Sequence, residues 1–97
     1  MIGYIAYVST YERGKLKIYY IALKKNGKSI LVNRLIAREL GMSQDEFEEE
    51  MKKFGETTKP KFCVDTYFIN ENDASNFATY INDNMEFFLT LKALKGN

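Results

Sequence analysis

From Ile2 to Ser9 the chain alternates and is rich in Tyr, Ile and Val, which predicts a β-strand. Tyr11-Glu12-Arg13-Gly14 predicts a turn, because Gly14 is free to take positive φ. Lys15 to Lys25 reads as a second strand whose middle is apolar on both parities: Leu16, Ile18, Tyr20 and Ala22 on one, Tyr19, Ile21 and Leu23 on the other. Such a strand belongs in the middle of its sheet, covered on both faces. Asn26-Gly27 follows, and both residues tolerate the positive φ of a type I′ hairpin turn. Lys28 to Val32 returns as a short third strand, so the first third of the chain is a three-stranded antiparallel meander.

After Val32 the spacing becomes helical. Asn33 predicts the N-cap of a short helix through Leu40, stopped by Gly41 at the position that favours a left-handed residue. Ser43 and Glu46 have the spacing of a capping box, in which hydroxyl and carboxylate satisfy reciprocal backbone donors. The helix so opened runs to about Phe54, with Phe47, Met51 and Phe54 on one apolar stripe. Phe62 to Ile69 alternates again and predicts a fourth strand, after which Asn70 or Asn72 caps a third helix. Ala74, Phe77, Ala78, Ile81, Met85 and Phe88 recur there at steps of three and four. Asn82-Asp83-Asn84 breaks the pattern; Glu86 to Leu94 then fits helix or strand, and helix is preferred. The order βββααβα predicts an α+β fold: a three-stranded antiparallel meander, a helical hairpin, a fourth strand and a C-terminal helix. Residues 1–97 form one domain, with no linker or repeat.

Composition places the chain among globular proteins, with 45% hydrophobic and 28% charged residues and a single proline. Cys63 is the only cysteine, so no internal disulfide calls for an oxidising compartment. No signal-peptide pattern and no apolar run of about 18 residues is present, and a cytoplasmic location is the expectation. Abundant Lys, Asn, Ile, Tyr and Phe with little Pro, His or Trp fits an AT-rich coding background. Phage, archaeal-virus and other mobile-element genomes share that bias.

Net charge alters the picture more by its arrangement than by its total of +1. From Met1 to Arg38 the bases Arg13, Lys15, Lys17, Lys24, Lys25, Lys28, Arg34 and Arg38 face only Glu12. Glu39, Asp45, Glu46, Glu48, Glu49 and Glu50 then follow without a base between them. Residues 51–61 are basic again, and 62–86 carry acids alone. Blocks of like charge are solvated faces at the least, and segregated ones point to a charged partner.

Histidine and tryptophan are both absent, which removes most familiar catalytic and metal-binding arrangements. A nucleophile needs a base beside it, and neither Cys63 nor any serine has an imidazole partner. Cys63 is expected as a small buried thiol in the fourth strand. Tyr20 with Lys24, and Tyr11 with Lys15, have the spacing of a dehydrogenase pair, yet no glycine-rich phosphate loop accompanies them. Glu46, Glu49 and Glu50 bring carboxylates one turn apart, but no second acidic group is placed to complete a cation site. No cofactor, metal or enzymatic activity is expected.

Two stretches resemble known DNA-binding patterns. Ala37, Gly41 and Phe47 have the small–glycine–apolar spacing of a helix-turn-helix, and this resemblance implies a close-packed helical pair. Where that motif presents its recognition helix, this chain reads Gln44-Asp45-Glu46-Phe47-Glu48-Glu49-Glu50, whose acids would repel phosphates. The run Ile18 to Met42 resembles the half-motif of AbrB-type swapped-hairpin transcription factors, with Asn33 where a proline is usual. That resemblance implies dimerisation and DNA contact through basic strand residues.

Two functions are therefore expected, in this order. The first is a small non-enzymatic accessory or regulatory protein that binds nucleic acid through the basic meander. Arg13, Lys15, Lys17, Lys24, Lys25 and Lys28 would reach phosphates from strand ends and turns, Tyr19 would stack, and Arg34 and Arg38 would contribute from one helix face. The second is an inhibitor or adaptor that docks Asp45, Glu46, Glu48, Glu49 and Glu50 on a basic partner protein. Apolar residues on both sheet faces also predict that a second copy covers one of them.

Overall fold

The computed structural model describes residues 3–96. Strands β1 (Tyr4–Arg13) and β2 (Leu16–Lys25) form a long antiparallel hairpin, in register from Tyr4↔Lys25 to Arg13↔Leu16. The first turn is shorter than expected. Tyr11, Glu12 and Arg13 stay in the ladder opposite Ile18, Lys17 and Leu16, leaving only Gly14-Lys15 to reverse the chain. A Glu12–Lys17 ion pair at 3.3 Å lies across these extra rungs. The second turn is as expected, with Asn26 at φ 50° and Gly27 at φ 86° leading into β3 (Lys28–Ile30).

The remaining elements are α1 (Asn33–Glu39), α2 (Gln44–Phe54), β4 (Thr57–Thr58), β5 (Tyr67–Phe68), α3 (Glu71–Asp83) and α4 (Met85–Leu94). Ser43 and Glu46 close the capping box of α2, and Asn70 caps α3 through the Asp73 N–H. Asn84 ends α3 and begins α4, so the final segment is helical. The fold is α+β, with four helices and two short strands late in the chain.

Three local expectations change. Asn33 is the first residue of α1 rather than its cap. The N-cap position is Val32, whose side chain has no acceptor to cap with, and the Asp65 carboxylate accepts from the Asn33 N–H instead. The strand expected over Phe62 to Ile69 contracts to Tyr67–Phe68, because the chain before it bonds to side chains instead of a neighbouring strand. The Thr66 N–H donates to Glu48 and its carbonyl accepts from the Asn33 amide. Thr57–Thr58 forms a strand that was not expected; two β-branched residues between Gly55 and Pro60 were its only signal.

The sheet order is β1-β2-β5-β4, with β3 beside the end of β2. β2 is central, as its two apolar parities predict. Ala6, Ile21, Leu23 and Phe68 turn one face of the sheet onto the helices, where they share a core with Ile36, Phe47, Met51, Phe77 and Ile81. Phe77 is its hub, with the rings of Phe54, Phe47 and Phe68 centred 5.2, 5.5 and 5.6 Å away. On the outer edge of β1 the Asn82 amide exchanges two hydrogen bonds with the Ala6 main chain, at 2.7 and 2.9 Å. A side chain thus occupies part of an edge that another strand could otherwise extend. Among the described residues no helix is long and apolar enough to cross a membrane.

Candidate nucleic-acid interface

Side chains alternate across a strand, so the hairpin register divides the charges between two faces. Tyr4, Ala6, Val8, Thr10 and Glu12 share the helix side with Lys17, Tyr19, Ile21, Leu23 and Lys25. The opposite face receives Ile5, Tyr7, Ser9, Tyr11 and Arg13 from β1 and Leu16, Ile18, Tyr20, Ala22 and Lys24 from β2. That second set holds two cations and no acid. Ile18 and Ala22 are nevertheless buried there. Tyr7 spans β2 to meet Ser29, hydroxyl to hydroxyl at 2.8 Å, and the 59–66 loop reaches the face beyond it.

That loop builds a cavity of about 310 Å³ lined by Tyr11, Tyr20, Leu31, Phe62, Cys63 and Tyr67. Tyr20 and Tyr67 meet edge to face with centroids 6.3 Å apart. The Arg13 guanidinium lies 4.7 Å from the centre of the Phe62 ring. Phe62 is 53% exposed, Leu31 48% and Tyr11 40%, so the aromatic surface is open to a ligand. Burial pushes the Tyr67 phenol well above its usual range, and neighbouring Cys63, Asp65 and Tyr20 push the same way. Cys63 is half-buried in the loop and faces the cavity, not the interior of a strand as expected.

A polar node behind the loop holds it in place. Asn33 donates through its amide to Glu48 at 2.9 Å and to the Thr66 carbonyl at 3.0 Å, while its N–H reaches Asp65. Glu48 also accepts from Gln44 and from the Thr66 N–H. Burial raises the Glu48 carboxyl, but the donors Asn33, Gln44 and Thr66 outweigh it and hold the group below its ordinary range. Asp65 goes the other way. Burial raises it, the Asn33 N–H opposes, and the Glu48 charge adds to the rise. Its Oδ1 is buried without a partner, consistent with a carboxyl that is costly to ionise.

The expected basic residues do not form one patch. Arg13 and Lys15 lie at the hairpin tip and Lys24 near its base, roughly 30 Å apart at the rise of an extended strand. Lys17 pairs with Glu12 on the helix side, and Lys25 lies 3.1 Å from Glu39, which Lys92 also reaches. Lys28 opposes Lys25 in register and shares that side. Tyr19 packs against the core. Arg34 and Arg38 are exposed on α1. Sequence reasoning missed Tyr20, Tyr67 and Phe62. The parity of Tyr20 was legible, but the loop that brings the others to the face was not.

The acidic residues of α2 are largely committed within the fold. Glu46 serves the capping box, Glu48 the polar node, Glu49 pairs with Lys52, and Glu50 pairs with Lys53 and accepts from the Tyr80 hydroxyl. Asp45, Glu46, Glu49 and Glu50 also rim a groove of about 450 Å³ whose apolar lining is Met42, Phe88 and Leu91. Among the described residues no group of three His, Cys, Asp or Glu side chains is placed to hold a metal ion. Compared with known proteins, the chain matches no family model, no curated protein and no solved structure.

Proposed function

We propose that this protein is a nucleic-acid-binding accessory or regulatory protein, and that it takes single strands on the helix-free face of its meander. The observation that carries this reading is the composition of that face. Tyr7, Tyr11, Tyr20, Tyr67 and Phe62 lie between Arg13 at one end and Lys24 at the other, and the hairpin positions of this face bear no acid. Lys15 at the hairpin tip is a further exposed cation, and the loop that supplies Phe62 also carries the exposed Lys59 and Lys61. Bases stack on aromatic rings whatever their sequence, while spaced cations track the phosphates. A duplex hides its bases and offers such a surface less.

Binding to an oligothymidylate should weaken steeply with salt. Four phosphate contacts give a logarithmic slope of about −3, a loss of roughly fifty-fold between about 50 and 200 mM. Joint reversal of Arg13, Lys15 and Lys24 to Glu should abolish binding, whereas neutralising Lys17 and Lys28 on the helix side should leave it nearly unchanged. Absence of binding at low salt, or dependence on Lys17 and Lys28 instead, overturns the reading.

The groove between α2 and α4 favours a second reading, an adaptor docking on a basic protein segment with its acidic rim and apolar floor. It ranks second because most of those carboxylates already have partners within the fold.

A further inference from the structure

We infer that the cavity under the 59–66 loop is a seat for one unstacked nucleobase of the bound strand. This rests on the single-strand reading above and deepens it. The cavity has about 310 Å³ of space between Tyr11, Tyr20, Tyr67, Phe62, Leu31 and Cys63, room enough for one flat heteroaromatic ring with space left over. Its lining is aromatic and aliphatic apart from three phenol hydroxyls and the Cys63 thiol, and the hydroxyls offer a base edge hydrogen-bond donors and acceptors. The Tyr67 hydroxyl, in the lining beside Cys63, can donate to a carbonyl oxygen such as those of thymine or uracil.

Charge selects the occupant. Arg13 stands at the rim, its guanidinium on the Phe62 face, placed to meet the phosphate of a nucleotide whose base has turned inward. An apolar protein side chain would fill the cavity equally well but would gain nothing from Arg13 and Lys15. The seat is also held rigidly. Asp65 and Thr66, next to its wall, are buried and tied to Asn33 and Glu48. A base entering such a seat pays little to order it.

Cys63, the only thiol of the chain, lines the cavity and reports its occupancy directly. The test measures alkylation of Cys63 by iodoacetamide in the full chain at low salt. It is run alone, with an oligothymidylate of about 12 nucleotides, and with an abasic sugar–phosphate polymer of the same length. Both polymers should bind, but only the one with bases should protect Cys63, slowing alkylation about tenfold or more. In the converse experiment, a bulky maleimide placed on Cys63 of the folded protein should lower oligothymidylate affinity towards that of the abasic polymer and leave abasic binding unchanged. Equal protection by both polymers, or binding that leaves Cys63 as reactive as before, overturns the base seat and leaves the single-strand reading standing. Failure of the oligothymidylate to bind at low salt overturns the single-strand reading itself, and the seat with it.

Discussion

Asn33 shows how much one residue can hold together. Its position before a helical run marks it as a cap in sequence, yet its side chain turns inward and joins α1, α2 and the 59–66 loop through Glu48 and Thr66. Nothing local in the sequence reveals this, because its partners lie 15 and 33 positions away. Asn33→Ala leaves the buried Thr66 carbonyl and the half-buried Glu48 carboxylate short of a donor and should cost about 2–3 kcal/mol in urea unfolding. Asp65 gives the node a pH signature. Its carboxyl is raised by burial, so the fold holds that proton more tightly than the unfolded chain does. The resulting stability is present at low pH and is lost as pH rises through the raised pKa. Glu48 and Glu39 are lowered, so theirs is present above the ordinary carboxyl range and is lost as pH falls through their lowered pKa values. Asp65→Asn removes only the first effect. The variant should therefore gain stability relative to the native protein as pH rises from about 4 to 7. A difference that stays flat across that range would place the burial cost elsewhere.

The elements themselves were mostly legible, because their signals are local. The Asn26-Gly27 turn, the Ser43 capping box, the Asn70 cap and the apolar stripes of α2 and α3 all depend on neighbours within one or two turns. The elements that escaped depend on distant partners. β5 is short because Asn33 and Glu48 take the hydrogen bonds of Thr66, and the hairpin runs on because Tyr11, Glu12 and Arg13 find partners on β2. Gly41 carries both kinds of information. The sequence marks it as a helix stop, and φ of 75° agrees, but the structure adds that a Cβ there would lie 2.7 Å from the Lys92 nitrogen on α4. Gly27, also at positive φ, has open space around its Cβ position. Gly41→Ala should therefore cost about 3 kcal/mol in chemical denaturation and Gly27→Ala only about 1. Equal costs would mean that α4 does not constrain the turn between α1 and α2.

For the whole molecule, charge is sorted by face and by end rather than by segment. A linear count pools Lys17, Lys25 and Lys28 with Arg13 and Lys24, but the two-residue period of the hairpin separates them. The helix side neutralises several of its own charges, through Glu12 with Lys17 and through Glu39 with Lys25 and Lys92. The open face keeps tyrosines between widely spaced cations along a molecule 41 Å in its longest dimension. The proposed function uses that spacing as a track for an extended strand. Half of the candidate site was legible as parity on β2; the other half arrives with the loop after β4, whose path follows from the Asn33 node. Backbone and side-chain NMR shifts of isotope-labelled protein, followed while an oligothymidylate is added at low salt, test this most directly. The account predicts that Tyr11, Arg13, Tyr20, Lys24, Cys63 and Tyr67 move together while Asp45 and Glu49 on α2 stay still. Shifts confined to the helix side, or none at all, would contradict it.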